Sequence, residues 1–303
     1  MATRFEIVLH GDNPVRLRAA GEEALDEIDR LEAQLSLYRP GSEIARLNQQ
    51  AHRGPVRVTP GLFRLLEQAR GLWEETGGAF DITIAPLVRC WGFMNGTGVL
   101  PESAAVEAAR GLVGMDRVRL DPGDCTVLFT DEGVMLDLGA IGKGYAVARA
   151  AGLLREAGVT NALIHGGTST AFALGRDAGG APWKIAVKSP SPDPAAPPLA
   201  VVELENEALS VSAVWGRSFQ AGGRTYGHVI DPRTGAPAEG AVLSAVVWPG
   251  ATETDALSTA LLTAPELMES LVRQRTALRC LVARASERGP VVTRHGLAAV
   301  GDE

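Results

Sequence analysis

Around residue 118 the apolar pattern of this chain changes period, and that change limits the fold more than any motif does. Upstream, Ala20, Ala24, Leu25, Ile28, Leu31 and Leu35 recur at helical spacing, which predicts a helix over about 14–37. Further helices are expected over 43–48, 60–76 (stopped by Gly77-Gly78) and near 102–111, after an opening strand at 5–9. Downstream the runs are short and alternate, at 118–120, 126–129 and 134–138, with turn residues such as Asp121-Pro-Gly-Asp124 separating them. Strands at 162–164, 183–187, 200–204, 208–212 and 242–248 follow, mixed with helices at 144–157, 252–262 and 265–275 and two short closing strands. Hairpins interleaved irregularly with helices predict an α+β fold, with mixed, largely antiparallel sheets and flanking helices. A single domain over 1–303 is expected, with room for two closely packed subdomains. The proline-rich segment 189–198 reads as a surface loop between neighbouring strands rather than a linker.

Composition excludes several classes. A formal charge of −7 supplies no basic stripe to displace counterions from nucleic acid. No apolar run approaches the roughly 18 residues of a membrane span, and the N-terminus lacks the h-region and cleavage site of a signal peptide, so a cytoplasmic location is expected. Cys90, Cys125 and Cys280 are odd in number and too far apart for a zinc motif.

The densest chemistry lies in His228-Val-Ile-Asp231-Pro-Arg-Thr-Gly235. Its proline and glycine impose turn structure, and a histidine that titrates near neutral pH stands three residues from a carboxylate. Either His228 is a proton acceptor, or it is merely polar while Asp231 bonds local amides. Further on, Asp255 and Thr259 fall at i and i+4 of a helical pattern, hence on one face. A carboxylate with a hydroxyl is hard-oxygen ligation, suited to magnesium and poor for zinc; alone, Asp255 could equally complement the helix dipole.

Asp137-Leu-Gly-Ala140-Ile-Gly142-Lys143-Gly144-Tyr145 runs from a strand into a helix. Glycines and helix-terminal amides favour an anion there, and Lys143, one of only three lysines, could neutralise a phosphate oxygen. It is not a Walker loop, since Gly144 stands where a metal-binding Ser or Thr would follow the lysine. Gly166-Gly167 after His165 is either a tight turn or a ligand approach. Ser36, Tyr38 and Asn48 gather at the mouth of a helix, where Tyr38 could stack on a planar ring or simply cover the helix end. Phe80-Asp81-Ile-Thr83 and Trp91-Gly-Phe93 divide in the same way between core and pocket.

Taken together, the segments 36–48, 77–93, 137–145, 228–235 and 254–259 resemble the ApbE family of FAD:protein FMN transferases, in the family's order and over roughly residues 5–265. The resemblance implies an ApbE-like fold and Mg²⁺-dependent transfer of FMN from FAD to a Ser or Thr hydroxyl of an acceptor protein. The product is a phosphoester, and AMP leaves. It implies side-chain metal ligation by Asp255 and Thr259, a backbone carbonyl ligand at Ala140, and deprotonation of the acceptor by His228. FAD contacts are expected from Ser36, Tyr38, Asn48, Asp81, Gly142, Lys143, Gly166, Gly167, Thr168 and Asp231. Two departures stand out. Many members carry Asn-x-Gly-Gly-Asp where this chain has Ile164-His-Gly-Gly-Thr168, so Thr168 or Ser169 must replace that aspartate or the pocket is altered. Members are often exported lipoproteins, and the absence of a lipobox cysteine favours a cytosolic acceptor. Two other functions remain open: an FAD pyrophosphatase releasing FMN and AMP, and a non-catalytic FAD-binding or delivery protein.

Overall fold

In a computed structural model of the chain, the opening strand Phe5–His10 pairs antiparallel with Asn161–Gly166 and so becomes the edge of a seven-stranded sheet. The structure describes residues 3–96, 98–191, 193, 195–286 and 289–299; Met1, Ala2, Pro192 and Pro194 of the segments read above lie outside them. From that edge the sheet continues through Thr170–Leu174, Glu207–Ala213, Leu243–Trp248, Arg279–Arg284 and Val291–His295. Every pairing is antiparallel. The helices Gly142–Glu156 and Ala251–Thr263 pack on this sheet and on each other. The core includes Leu163, Leu209, Leu243, Val247 and Leu281 and reaches Trp183 in the hairpin Trp183–Val187/Ala200–Leu204. In sequence the proline-rich segment lies between the two strands of that hairpin.

The chain divides into two compact units. The first, just described, takes 1–32, 141–213 and 240–303; the second takes 33–140 and 214–239. The second unit holds the helices Glu43–Gln50, Pro60–Glu75, Ala85–Cys90 and Ser103–Arg110. It also holds a three-stranded sheet (Val56–Arg57, Thr126–Phe129, Val118–Asp121) and a hairpin of Ser218–Ala221 with Arg224–Gly227. Leu87, Trp91, Phe93 and Ile230 form a cluster in its interior. The long helix Pro14–Leu35 carries the chain from one unit to the other.

The predicted helices and most strands stand within a few residues of their expected bounds. Several elements differ. The run 134–138 is extended but is no strand: Leu136 exchanges both backbone bonds with the Asn48 side chain, and the Asp137 amide donates to the Ile82 carbonyl, so no ladder forms. The helix Ala85–Cys90 begins with Pro86 in its first turn, a position where a missing N–H costs nothing. Strand Thr170–Leu174 and the hairpin 218–227 were not anticipated. The expected helix 265–275 is a 3₁₀ turn, Pro265–Leu267, followed by Met268–Gln274.

Candidate functional site

In the first unit, Asp255 is organised from two directions. It lies in the second turn of Ala251–Thr263, past the orphan amides at that helix's own start, so complementing its own dipole does not explain it. Instead Asp255 serves the neighbouring helix. Gly142–Glu156 has no side-chain cap at Ile141, and the Gly144 amide in its first turn donates to Asp255 Oδ2 at 2.9 Å. A carboxylate at a helix N-terminus is favoured by the dipole as well as by the bond. The two helices must approach closely for this. A Cβ on Gly144 would lie 2.1 Å from the Ala251 carbonyl oxygen, which is why glycine stands there.

The other oxygen, Asp255 Oδ1, faces Lys143 Nζ at 3.4 Å and the Thr170 hydroxyl at 3.5 Å. Behind them lies a stripe of hydroxyls that the sequence reading missed. Thr170 and Ser210 are cross-strand partners, as are Ser212 and Ser244, so all four share one sheet face. Ser210 Oγ lies 2.9 Å from Thr254 Oγ1, and Ser212 Oγ lies 2.8 Å from Ser258 Oγ and 3.3 Å from Thr259 Oγ1. Buried hydroxyls need partners, and these find them in one another. The period-two repeat Ser210-Val-Ser212 in a buried strand was the available signal.

Asp255 and Thr259 do share a helix face, and the Thr259 hydroxyl donates back to the Asp255 carbonyl at 3.3 Å. Among the described residues no group of three or more His, Cys, Asp or Glu gathers as a metal site, so an all-side-chain zinc-type cage is not built here. One carboxylate with hydroxyl oxygens does fit Mg²⁺, a hard cation held by one or two carboxylates and its substrate's phosphates. Gly166 and Gly167 have local reasons to be glycine. A Cβ on Gly166 would meet Phe5 at 3.0 Å, while Gly167 turns the chain at φ +65° against Thr3. Thr168 is exposed in that turn. The half-buried His165 pairs with Glu6 across the strands, and burial lowers its pKa despite that acid.

In the second unit the His228–Gly235 segment is a turn fixed at several points. Asp231, 7% exposed, accepts from the Arg233 amide at 2.9 Å and from the Arg233 guanidinium at 3.0 and 2.8 Å. Its carbonyl accepts the Gly235 amide at 2.8 Å, and the Trp91 indole donates to the Gly235 carbonyl at 2.8 Å. Gly235 needs φ +75° and leaves no room for a Cβ beside Val106. Asp231 therefore holds the loop. His228 ends the hairpin 218–227: its amide donates to the Arg217 carbonyl, and its ring Nδ1 stands 3.1 Å from the same oxygen. A carbonyl can only accept, so Nδ1 is the donor here, and in the neutral form of the ring the lone pair is on Nε2. Phe93 meets the half-exposed ring edge-on at 6.4 Å.

The other predicted residues of this unit have defined settings. Ser42 caps Glu43–Gln50 by accepting the Ala45 amide, and its hydroxyl donates to the Ser36 carbonyl at 2.6 Å. Tyr38 is 59% exposed, and its ring does not cover the helix end as core. Asn48 gives both amide atoms to Leu136. Asp81 is buried and accepts from the Thr83 amide at 2.7 Å and hydroxyl at 2.6 Å. Burial nevertheless pushes its pKa up to about 6, against those bonds and the Trp73 indole, with the Asp116 charge adding to the rise. Ala140 is the last residue of this unit before Ile141.

The ApbE family signature matches residues 1–282 of the chain. An FAD:protein FMN transferase of Treponema pallidum is 33% identical over 258 residues, covering 80% of this chain and 71% of that protein. Its counterpart in Vibrio cholerae is 32% identical over 228 residues, covering 73% of this chain and 67% of the relative. Among solved structures, the flavinyl transferase ApbE of Pseudomonas stutzeri superposes with a TM-score of 0.83 at 28% identity, covering 96% of this chain and 91% of that one. No helix among the described residues is long and apolar enough to cross a membrane.

Proposed function

Because the chain belongs to the ApbE family, we propose that it is an FAD:protein FMN transferase, moving FMN from FAD to a Ser or Thr hydroxyl of an acceptor protein. The hydroxyl oxygen forms a bond to the FMN-side phosphorus, the bond from that phosphorus to the bridging oxygen breaks, and AMP leaves. The observation that carries this reading is the His228 ring, whose Nδ1 is tied to the Arg217 carbonyl at 3.1 Å. That bond orients the ring and leaves Nε2 as the base that takes the proton of the attacking hydroxyl. Half-exposure suits a base whose substrate is another protein's side chain.

Asp255 and Thr259 would hold Mg²⁺, which when bound offsets charge on the phosphates and the leaving oxygen. Lys143 neutralises a phosphate oxygen, at a helix start whose Gly142 backbone can come close to the anion. Tyr38 offers an exposed ring for stacking. Ser36, Asn48, Asp81, Gly166, Gly167 and Asp231 act in this reading by fixing the backbone around the ligand, consistent with the bonds and contacts they make, and the exposed Thr168 would meet the ligand directly. The decisive experiment supplies FAD, Mg²⁺ and a panel of acceptors with exposed Ser/Thr motifs, and follows AMP together with protein-bound flavin. Release of AMP and free FMN with no labelled acceptor across the panel would instead make the protein a pyrophosphatase.

A further inference from the structure

Asp255 has to be neutralised whether or not a metal is present. Its side chain is 4% exposed, and an ionised carboxylate at that depth is costly unless it is paired. Its two oxygens are treated differently. Oδ2 is held by the Gly144 amide at 2.9 Å, a backbone donor fixed by the helix and unable to leave. Oδ1 faces the Lys143 ammonium at 3.4 Å and the Thr170 hydroxyl at 3.5 Å, both side-chain donors that can turn away. Lysine is the side chain suited to such a post: a compact point charge on a flexible four-carbon stem, rather than the rigid fork of arginine. This matters in a chain with three lysines and abundant arginine. Lys143 also sits in the first turn of Gly142–Glu156, where amides already favour an anion.

We propose that Lys143 is an internal stand-in for the divalent cation. It neutralises Asp255 in the metal-free protein, is displaced when the metal takes that carboxylate, and thereby becomes available to the phosphates of FAD. The inference rests on the reading of Asp255 as a metal ligand. A metal ion and an ammonium cannot both sit on Oδ1 without mutual repulsion, so one must yield. Metal binding then frees Lys143 for the phosphate, and phosphate binding draws Lys143 off the carboxylate. By linkage, each ligand raises the affinity for the other.

The test is calorimetric titration of the whole, FAD-free protein with Mg²⁺ alone. Lys143→Met removes the competing charge, and Lys143→Gln removes it while keeping a hydrogen-bond donor, which protects the fold. Both variants should bind Mg²⁺ more tightly than wild type by about 5–150-fold, the range of an ordinary coupling between two sites. Arg149→Ala removes one positive charge from the same helix, at a residue paired with Glu27, and should leave Mg²⁺ affinity unchanged. Equal or weaker binding in the Lys143 variants overturns the proposal, as does an equal gain in Arg149→Ala, which would reduce it to net charge. The gain in Mg²⁺ affinity that FAD confers on the wild type should shrink in Lys143→Gln; an undiminished gain also counts against the exchange. Asp255→Asn separates the two layers. If it binds Mg²⁺ like wild type, the ligand assignment itself fails. If it loses binding while the Lys143 variants match wild type, only the exchange fails.

Discussion

Asp255 is 3% exposed and receives a helix amide, a lysine ammonium and a threonine hydroxyl, whereas His228 stands half-exposed at the end of a hairpin with one ring nitrogen on a carbonyl. The two surroundings suit two kinds of chemistry. A carboxylate that holds a cation gains from burial and fixed partners, because a low-dielectric setting strengthens the attraction and a rigid one defines the geometry. A base that must meet a hydroxyl on another macromolecule needs an open side, so its rigidity has to come from behind. Arg217, Phe93 and the Asp231–Arg233 turn supply that backing. Rigidity is common to both regions; accessibility is what separates them.

The largest expected effect breaks the His228 half of this contrast. If His228 is the base as proposed, His228→Ala should slow transfer by about 10²–10⁴-fold, the usual worth of general-base catalysis. FAD affinity, measured by fluorescence quenching, should stay near wild type. A rate within a few-fold of wild type at neutral pH would return His228 to an ordinary polar residue at a strand end.

A second effect concerns a buried carboxylate whose partners are neutral. Asp81 titrates at about 6 in the folded protein against an ordinary 3.8, chiefly because it is buried. The folded state therefore holds its proton more tightly than the unfolded state does. Stability from this group is full below about pH 4 and is lost as pH rises through 6, a difference of about 3 kcal/mol. Asp81→Asn keeps an acceptor for the Thr83 donors and removes the charge, so it should gain on wild type by about that amount between pH 4 and 7 in urea denaturation. A constant gap between the two proteins across that range would show that Asp81 does not titrate as its burial demands. Unchanged FAD affinity in the variant would sharpen the contrast with Asp255, which faces a lysine ammonium where Asp81 is bonded by Thr83 and feels the Asp116 charge.

How far these regions could be read in advance depends on the range of the forces that make them. The i, i+4 spacing of Asp255 and Thr259 is a property of one helix, and the helix forms as its pattern predicts. The turn at His228–Gly235 is likewise local, since Pro232, Gly235 and the Asp231 carboxylate act within a few residues of one another. What stayed hidden comes from partners distant in sequence. The run 134–138 reads as a strand because its apolar alternation is real, yet its backbone partner is the amide of Asn48. The hairpin 218–227 pairs Phe219 with Tyr226 at 5.2 Å beside Trp91, a cluster that no local period reveals. The glycine cluster around Lys143 reads as an anion approach, yet the first duty of Gly144 in the structure is to let two helices touch.

That duty gives the third prediction. Gly144→Ala places a Cβ 2.1 Å from the Ala251 carbonyl oxygen and 2.8 Å from Asp255 Cβ, so the helices must part. Overpacking of this kind costs about 1–3 kcal/mol, enough to lower the thermal midpoint by several degrees in a domain of this size. Because the Gly144 amide also holds Asp255, Mg²⁺ affinity should fall with it. Loss of stability with normal Mg²⁺ binding would detach the helix contact from the cation site.

Arg233→Ala gives the smallest effect and the finest distinction. The Asp231 carboxylate would lose both guanidinium bonds but keep the residue 233 backbone amide that accompanies them at 2.9 Å. The Arg233 side chain is 35% exposed, so solvent screens the pair and the cost in stability should be only about 1 kcal/mol. The catalytic consequence should be larger than that figure suggests. Asp231 sets the turn three residues from His228, and a base displaced even slightly from its proton loses rate without losing substrate. A fall in kcat with KM for FAD unchanged is therefore the expected signature, whereas a change in KM alone would mean that Asp231 meets FAD directly rather than acting through the turn.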